Sequence, residues 1–334
     1  MPVRIKDIAK DLGLSPMAVS KALRDHSDIG KDTKARVLKR AAELNYRMDW
    51  VARSMKTGRT YLVGLVIPDL MQSFFAEIAT ALAARLAPVG YHLVISHSGE
   101  SAQEEVTNID LLCSRKVDGL IIASAQRTAK AFTGLKTPYV LIDRRIPGLN
   151  ANYVGTKNED IGYLATNHLI EQGCRRVAHL KGPALSTAVG RLRGYRRALA
   201  SHKFASQENL ILRAGHEDAS GYLAMQQLLK RRPRPDGVFC FNDPVAVGAV
   251  RAILEAGLSI PKDIAVVGAA NMHYSDLLRI PLSTVDQGTT EMGKRAAALL
   301  LACMTAKKPF PPRQLTISPQ LIVRGSSMRR TGSQ

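Results

Sequence analysis

The sequence predicts two kinds of structure in one chain. A small all-α headpiece built on a helix-turn-helix comes first, and a larger α/β core of two lobes with doubly wound parallel sheets follows. Two periodicities predict this division. Up to about residue 60, apolar side chains recur at the three- and four-residue spacing of short amphipathic helices. From Tyr61 onward, short apolar runs alternate with helical stretches, which is typical of parallel strands covered on both faces.

Three short helices are predicted in the first 47 residues. The apolar stripe of the first consists of Ile5, Ile8, Ala9 and Leu12. Gly13 breaks this pattern, Ser15 suits the N-cap of a second helix, and Pro16 suits its first turn because no donor is lost there. A longer third helix is predicted from about residue 32 to residue 45. Two short helices joined by a tight glycine-containing turn form the helix-turn-helix pattern.

Eight strands and at least five helices are predicted after residue 60. The strands are Tyr61–Ile67, Tyr91–Ile95, Gly119–Ile122, Tyr139–Ile142, Arg176–Leu180, Gly237–Phe241, Ile264–Gly268 and Leu282–Asp286. The helices are Phe74–Leu86, Asn158–Glu171, Ala219–Leu229, Pro244–Ala256 and Thr289–Met304. The predicted domains are a headpiece (1–47), a linker (48–60), one lobe (61–157 with 288–317), a second lobe (158–287 with 318–327) and a disordered basic tail (328–334).

Composition favours a polyanionic partner. The 334 residues include 47 Lys and Arg against 28 Asp and Glu, for a net charge of +19, and residues 1–60 contribute 14 basic and 7 acidic side chains. No apolar run is long enough for a membrane span, and the charged first residues do not resemble a secretory signal. Four widely separated cysteines are typical of reduced core thiols. These features predict a cytoplasmic location, without a membrane partner.

A helix-turn-helix places its second helix in the DNA major groove, with the residues near its amino end at the base edges. Lys21 could donate a hydrogen bond to O6 or N7 of guanine, and Met17 or Ala18 could contact the methyl group of thymine. Ser15 and Thr33 are plausible partners for phosphates. The alternative is a small helical bundle without a role in DNA binding.

The chain resembles the lactose/galactose repressor (LacI/GalR) family of bacterial transcriptional regulators. The headpiece motifs are IKDIAK (5–10), GLS (13–15), AVSKAL (18–23), TKARV (33–37) and ELNY (43–46). Later motifs are VARSMKTGRT (51–60), GLVIPD (64–69), VDGLII (117–122), IDR (142–144), GRLRGY (190–195), FND (241–243), IPKDIAVVG (260–268) and PLSTV (281–285). The blocks span nearly the whole chain in the family's order, and the two-lobed core is similar to periplasmic sugar-binding proteins.

The resemblance implies a set of DNA-contacting residues in the headpiece and linker. The set is Ile5, Ser15, Pro16, Met17, Ala18, Ser20, Lys21, Arg24, Ile29, Thr33, Tyr46, Asp49, Ala52, Arg53 and Met55. Residues 49–56 are too short for a stable isolated helix, and the family implies that they fold on DNA as a hinge helix. Met55 then takes the position of a minor-groove wedge, where the family usually has Leu. A plain flexible linker is the alternative, and Arg47-Met48 replaces the family's usual Pro-Asn.

The resemblance also implies an effector site between the lobes. Its residues are Phe74, Phe75, Ser124, Asp143, Arg191, His216, Asn242, Asp243 and Ala270. Such polar groups at strand ends suit a sugar or purine-like ligand. Ala269-Ala270 replaces the family's aromatic-Asp pair, which predicts a bulkier or less hydroxylated ligand, or insensitivity to effectors. The alternatives are a core role for the two phenylalanines and a surface role for His216.

The sequence contains no phosphate-binding glycine loop, nucleophile elbow or zinc motif, and we expect no enzyme activity, cofactor or metal. The favoured interpretation is a homodimeric repressor that binds a near-palindromic operator in double-stranded DNA. A soluble small-molecule receptor and a non-specific DNA-binding protein are the alternatives.

Overall fold

The computed structural model describes residues 3–47, 54–55, 57–308 and 311–329. The chain separates into two compact units, Met1–Thr60 and Tyr61–Gln334. The two units are described separately below.

The first unit contains the three predicted helices, α1 (Ile5–Leu12), α2 (Pro16–Ala22) and α3 (Lys31–Glu43). Each contributes a wholly buried aliphatic side chain, respectively Ile8, Val19 and Val37. These three side chains and their apolar neighbours form one small core. The all-α headpiece is therefore confirmed, and α3 begins and ends within two residues of the predicted limits.

The second unit contains two six-stranded sheets. The strands of the first sheet are β1 (Leu62–Ile67), β2 (His92–His97), β3 (Gly119–Ile122), β4 (Tyr139–Ile142), β5 (Tyr153–Thr156) and β11 (Gln314–Ile317). Its spatial order is β11-β5-β4-β3-β1-β2, and every pair is parallel.

The strands of the second sheet are β6 (Val177–Lys181), β7 (Ile211–Arg213), β8 (Gly237–Cys240), β9 (Ala265–Ala270), β10 (Ser283–Asp286) and β12 (Gln320–Ile322). Its order is β12-β10-β9-β8-β6-β7, with only the β10–β12 pair antiparallel.

In the described part of the second unit, seven α-helices accompany the two sheets. They are α4 (Ser73–Leu86), α5 (Ala102–Ser114), α6 (Asn158–Glu171), α7 (Ser186–Ser201), α8 (Asp218–Leu229), α9 (Asp243–Glu255) and α10 (Thr289–Thr305). Each sheet has one apolar cluster on either face, which confirms the doubly wound α/β architecture. The sequence patterns miss β5, β7, β11, β12, α5 and α7. The four missed strands are short and contain Gly, Thr, Arg or Gln, so they lack the continuous apolar run that predicts the other short strands.

The chain passes between the sheets after β5, after β10 and between β11 and β12. The lobe boundaries expected from the sequence remain a prediction, because contacts separate only residues 1–60 from the rest. Loops at the carboxyl ends of strands from both sheets line one common cavity. This is where ligands bind in open α/β sheets.

Two glycines allow α6 and α7 to pack in close contact. A Cβ atom at Gly194 of α7 would overlap the carbonyl oxygen of Glu159, and one at Gly162 of α6 would overlap the carbonyl oxygen of Arg191. Because these neighbours are backbone atoms, they cannot rotate away. The close packing fixes the turn of α7 that carries Arg191, a residue that lines the cavity.

We predict that Gly194→Ala destabilises the core by about 3 kcal/mol, near the upper end for overpacking, because the two helices must separate. Urea-induced unfolding of the full chain measures this loss. Gly325→Ala is the control, since its Cβ would meet Pro281 at 3.6 Å, an ordinary contact. An equal loss in both variants would contradict the close packing of α6 on α7.

Candidate functional site

The headpiece presents the amino end of α2 on its surface. Gly13 ends α1 with a left-handed backbone (φ 64°), which turns the chain sharply. The Ser15 hydroxyl then accepts a hydrogen bond from the Ala18 amide at 3.1 Å, and Pro16 occupies the first turn of α2. Met17 follows with 55% of its surface exposed. The sequence therefore folds locally into a capped helix whose first turn faces solvent.

The residues predicted to contact DNA fall into three groups in the structure. Ser15, Pro16, Met17 and Arg24 are exposed, and Ala18, Ser20, Lys21 and Thr33 are half-buried. Ile5, Ile29 and Tyr46 are half-buried and pack against the headpiece core. The first two groups include the predicted side chains at the amino end of α2, while the third braces the helices.

Lys21 is held in an ion pair. Its Nζ lies 2.8 Å from the Asp28 carboxylate, which also receives His26 Nδ1 at 2.7 Å. The Lys21 hydrogen bond helps hold the pKa of Asp28 below its usual range. Since the Lys21 side chain is 34% exposed, this pair is weak and readily exchanged. A guanine acceptor or a phosphate could therefore replace Asp28 as its partner.

The predicted hinge is described only in part. Asp49, Ala52 and Arg53 lie outside the described residues. Ser54 and Met55 are helical, and the Ser54 carbonyl accepts a hydrogen bond from the Gly58 amide at 2.8 Å. Met55 is 84% exposed, so its side chain is accessible to a partner.

The structure brings most of the predicted effector residues together around the cavity between the two lobes. The predicted lining residues are Phe74, Phe75, Asp143, Arg191, His216, Asn242 and Ala270. The cavity is also lined by Ala269 and by residues that sequence reasoning missed, namely Gln72, Arg144, Thr187, Phe241, Pro244, Met272 and Gln287. Gln287 follows a predicted strand directly, Arg144 lies two residues after one and Phe241 ends one, which is the signal that could have found these three.

Arg191 is the most heavily bonded of these residues. Its guanidinium donates to the Asn158 side chain at 3.0 Å, to Gln287 Oε1 at 2.9 Å and to the Phe241 carbonyl. Burial lowers the pKa of Arg191 to about 10, while the Asp143 carboxylate opposes that shift. The guanidinium therefore stays charged at neutral pH. Burial raises the pKa of Asp143, and the Arg144 and Arg191 guanidinium groups counteract the rise.

A second arginine forms a bidentate pair across the cavity wall. Both terminal nitrogens of Arg144 donate to Glu100, at 2.8 and 2.6 Å. Although burial raises the pKa of Glu100, the hydrogen bonds and charge of Arg144 hold it below its usual range. His216, from the loop after β7, places Nε2 3.3 Å from Glu100 Oε1. Glu100 belongs to the first lobe and His216 to the second, so this contact joins them.

Two predicted effector residues do not line the cavity. Ser124 Oγ donates to Glu105 at 2.6 Å, and both side chains are buried within the first lobe. The Asp243 carboxylate accepts hydrogen bonds from Thr284 Oγ1 at 2.6 Å and Ser275 Oγ at 2.8 Å. Because these bonds occupy both side chains, we no longer expect either to contact a ligand directly.

Asn242 has a structural task as well. Its Oδ1 caps α9 by accepting from the Val245 amide at 2.9 Å, and its Nδ2 donates to the His216 carbonyl at 2.9 Å. The Phe74 and Phe75 rings meet edge to face, with centroids 5.1 Å apart. These rings form an apolar wall of the cavity and also belong to the core of the first lobe.

The cavity is narrow. Its volume is about 30 Å³, which is room for little more than a water molecule. Small-molecule sites usually enclose about 300–1,000 Å³. Besides the Glu100–His216 contact, the Arg145 amide of the first lobe donates to Ser186 Oγ of the second at 2.8 Å. A sugar or purine needs more room than this, so we expect these contacts to break and the lobes to separate when one binds.

The described residues contain no group of three or more His, Cys, Asp or Glu side chains that could hold a metal ion. Among the same residues, no helix is both long and apolar enough to cross a membrane.

Comparison with known proteins identifies the class to which this arrangement belongs. Residues 4–49 match the family model described as bacterial regulatory proteins, lacI family. Residues 166–327 match the model of the periplasmic binding protein-like domain. The two matches fall on the headpiece and on the second unit, respectively.

Similarity extends over almost the whole chain. The HTH-type transcriptional repressor PurR of Haemophilus influenzae (strain PittEE) is 31% identical over 329 residues, covering 96% of this chain and 98% of the relative. PurR of Vibrio atlanticus (strain LGP32) is also 31% identical, over 327 residues, covering 96% and 98%. The chain belongs to the lacI family of bacterial regulatory proteins. The named relatives are transcriptional repressors, and the protein is accordingly a regulator and not an enzyme.

Solved structures agree with this assignment. The lac repressor dimer bound to operator and the anti-inducer ONPF has a TM-score of 0.86 at 25% identity, covering 98% of this chain and 100% of that one. The transcriptional regulator CelR in complex with cellobiose has a TM-score of 0.74 at 29% identity, covering 97% and 99%.

We predict that Glu100→Gln destabilises the protein by about 2–3 kcal/mol, because it leaves the Arg144 guanidinium buried beside Asp143 alone, 3.7 Å away. Urea-induced unfolding at neutral pH measures the loss. Glu291→Gln is the matched control, since it breaks the exposed pair with Arg295 and should cost less than about 1 kcal/mol. Equal losses would show that the Arg144–Glu100 pair contributes no more than a surface pair.

Proposed function

We propose that this protein is a transcriptional repressor that binds a near-palindromic operator as a homodimer and responds to a small molecule in the cavity between its lobes. The observation that carries the proposal is the capped helix α2, whose exposed first turn follows a tight glycine turn after α1. Two copies related by a twofold axis would bind two half-sites of the operator, which explains the expected palindrome.

The side chains on α2 divide by role. We infer that Met17, Ala18, Ser20 and Lys21 contact base edges in the major groove. Ser15, Pro16, Arg24 and Thr33 lie close to the sugar-phosphate backbone in this arrangement, where they fix the register of the headpiece. Ile5, Ile29 and Tyr46 support these contacts from the headpiece core. The exposure of Met55 supports its proposed role as a minor-groove wedge at the operator centre. In this proposal Asp49, Ala52 and Arg53 belong to the same hinge helix and also contact the DNA.

The cavity between the lobes is the proposed regulatory site. A ligand of the size of a sugar or purine needs at least ten times the closed volume of about 30 Å³, so its binding must open the lobes. The solved CelR structure contains cellobiose, which supports a sugar. The walls formed by Phe74, Phe241 and His216, without a carboxylate at Ala270, also suit a planar purine-like ligand.

The family also bears on where the protein acts. Membership in a family of bacterial DNA-binding repressors supports a cytoplasmic location. We propose that the protein lies on the nucleoid while it is bound to its operator.

The first test is selection of bound duplexes from a randomised pool at physiological salt, followed by sequencing. We predict recovery of a near-palindrome. For the recovered duplex, Lys21→Ala should weaken binding by about 1–3 kcal/mol and relax selectivity at one base pair of each half-site, because a base-edge contact is lost.

Lys39→Ala is the control for Lys21→Ala, since it removes the same charge from an exposed position on α3. It should weaken binding to all duplexes alike, if at all. A bound pool without enrichment would overturn sequence-specific readout and favour the non-specific DNA-binding alternative. Equal selectivity profiles for the two variants would remove Lys21 from the base contacts.

A further inference from the structure

A strongly basic loop follows α8 in the second lobe. Lys230, Arg231, Arg232 and Arg234 occupy four of five consecutive positions, and all are exposed. Pro233 and the following proline restrict the backbone, so little conformational freedom remains to be lost when this loop binds a partner. Arg232 also donates from one nitrogen to the carbonyls of Leu229 and Arg231, at 2.9 Å each, and thereby caps the end of α8.

Hydrogen bonds to Asp236 hold two other segments against this loop, and each segment contributes a basic residue, Arg175 or Arg329. β6 and β8 pair with Val177 opposite Gly237, which sets residues 175–176 next to Asp236. The Asp236 carboxylate accepts hydrogen bonds from the amide of Arg175 at 2.8 Å, and the Asp236 carbonyl accepts one from Arg329 at 2.6 Å. We call the resulting surface the basic patch; it comprises Arg175, Lys230, Arg231, Arg232, Arg234 and Arg329.

The basic patch lies at the opposite end of the second sheet from the cavity. Arg175 precedes β6 and Arg234 precedes β8, so the patch is at the amino ends of these parallel strands. The cavity is lined by residues that follow the carboxyl ends. The patch is therefore separate from the effector site.

The side chains of the basic patch have no acidic partners in the part of the chain that the structure describes. Among the described residues, no carboxylate lies within 4.0 Å of any of the six side-chain cations, and the nearby Asp236 carboxylate is occupied by backbone amides. The arginines exposed on α7 provide the contrast. Arg196 pairs with Glu208 at 2.7 Å, and Arg197 pairs with Glu159 at 2.8 Å. Unpaired like charges held together repel, which an anionic partner would relieve.

We propose that the basic patch is a second nucleic-acid contact, which binds the sugar-phosphate backbone of a DNA duplex without reading its sequence. Five of the six cations are arginines, and a planar guanidinium matches phosphate in a bidentate geometry. The guanidinium groups of Arg329 and Arg232 already donate to backbone carbonyls, which leaves Arg175, Arg231 and Arg234 as the arginines available for phosphate. The loop from residue 230 to residue 236 exposes no large apolar side chain of the kind that anchors a protein interface. These observations favour DNA over an acidic protein. This proposed contact with DNA is additional to the recognition of the operator by the headpiece.

The test uses the full chain and a random-sequence duplex of about 30 base pairs. We predict that the triple variant K230Q/R231Q/R234Q, which leaves the α8 cap at Arg232 intact, binds this duplex about tenfold more weakly. The slope of log affinity against log salt concentration should fall by about 2–3, because about three phosphate contacts are lost. In the wild-type protein, the duplex should also protect Arg231 and Arg234 from modification by phenylglyoxal, measured by mass spectrometry.

The matched control is R193Q/R196Q/R197Q, which removes the same charge from α7, where each arginine pairs with a carboxylate. It should change the salt slope by less than about 1, and duplex should not protect these arginines. Equal slopes in the two variants, or no protection of Arg231 and Arg234, would overturn the proposal. Poly-glutamate serves as a competing anion, with its concentration expressed as negative charges. If it protected Arg231 and Arg234 at a lower concentration than the duplex does, the proposal would be overturned and an acidic protein partner would be indicated.

Discussion

Charged side chains at the junction of the two lobes must satisfy one another, and the rest of the core depends on this constraint. Both sheets direct strand carboxyl ends at this junction, so polar loops from each meet where little water can enter. Arg144 and Arg191 are both almost wholly buried there. A buried cation is tolerated only when it is paired and fully hydrogen bonded, which Glu100, Asp143 and the neighbouring carbonyls accomplish.

The same constraint explains how a ligand could control the protein. With its polar groups paired internally, the cavity closes to about 30 Å³, and a ligand must replace these contacts with its own. It can shift the balance between closed and open lobes only by the difference in its affinity for the two states. A coupling of about 1–3 kcal/mol between cavity and operator is typical of allosteric proteins. The Glu100–His216 contact joins the two lobes and is well placed to set that difference, although burial lowers the pKa of His216 and so favours its neutral form.

Much of this arrangement could be predicted from the sequence. The helix-turn-helix follows from local signals, a stripe of apolar residues, a breaking glycine and a capping serine, and the resemblance to a family located Arg191, Asp143 and His216. Glu100 and Arg144 were missed as a pair because 44 residues separate them and no local pattern joins them. Ser124 and Asp243 were expected to face a ligand, since sequence position cannot show that Glu105 and Thr284 already occupy their polar atoms. Only the packed fold decides which polar side chains at a strand end remain available.

The distance between the lobes in solution, measured by pulsed electron spin resonance, tests most directly whether the protein's own side chains hold the cavity narrow. Spin labels would be attached at Thr107 on α5 and Gln227 on α8, both exposed, after serine replaces the partly exposed Cys113 and Cys303. Labelled protomers diluted with unlabelled protein would report distances within one chain. We expect one narrow distribution for the otherwise unchanged protein and a longer or broader one when His216→Ala removes the contact with Glu100. A broad distribution before that substitution, or an unchanged one after it, would contradict a cavity held closed by the protein's own side chains.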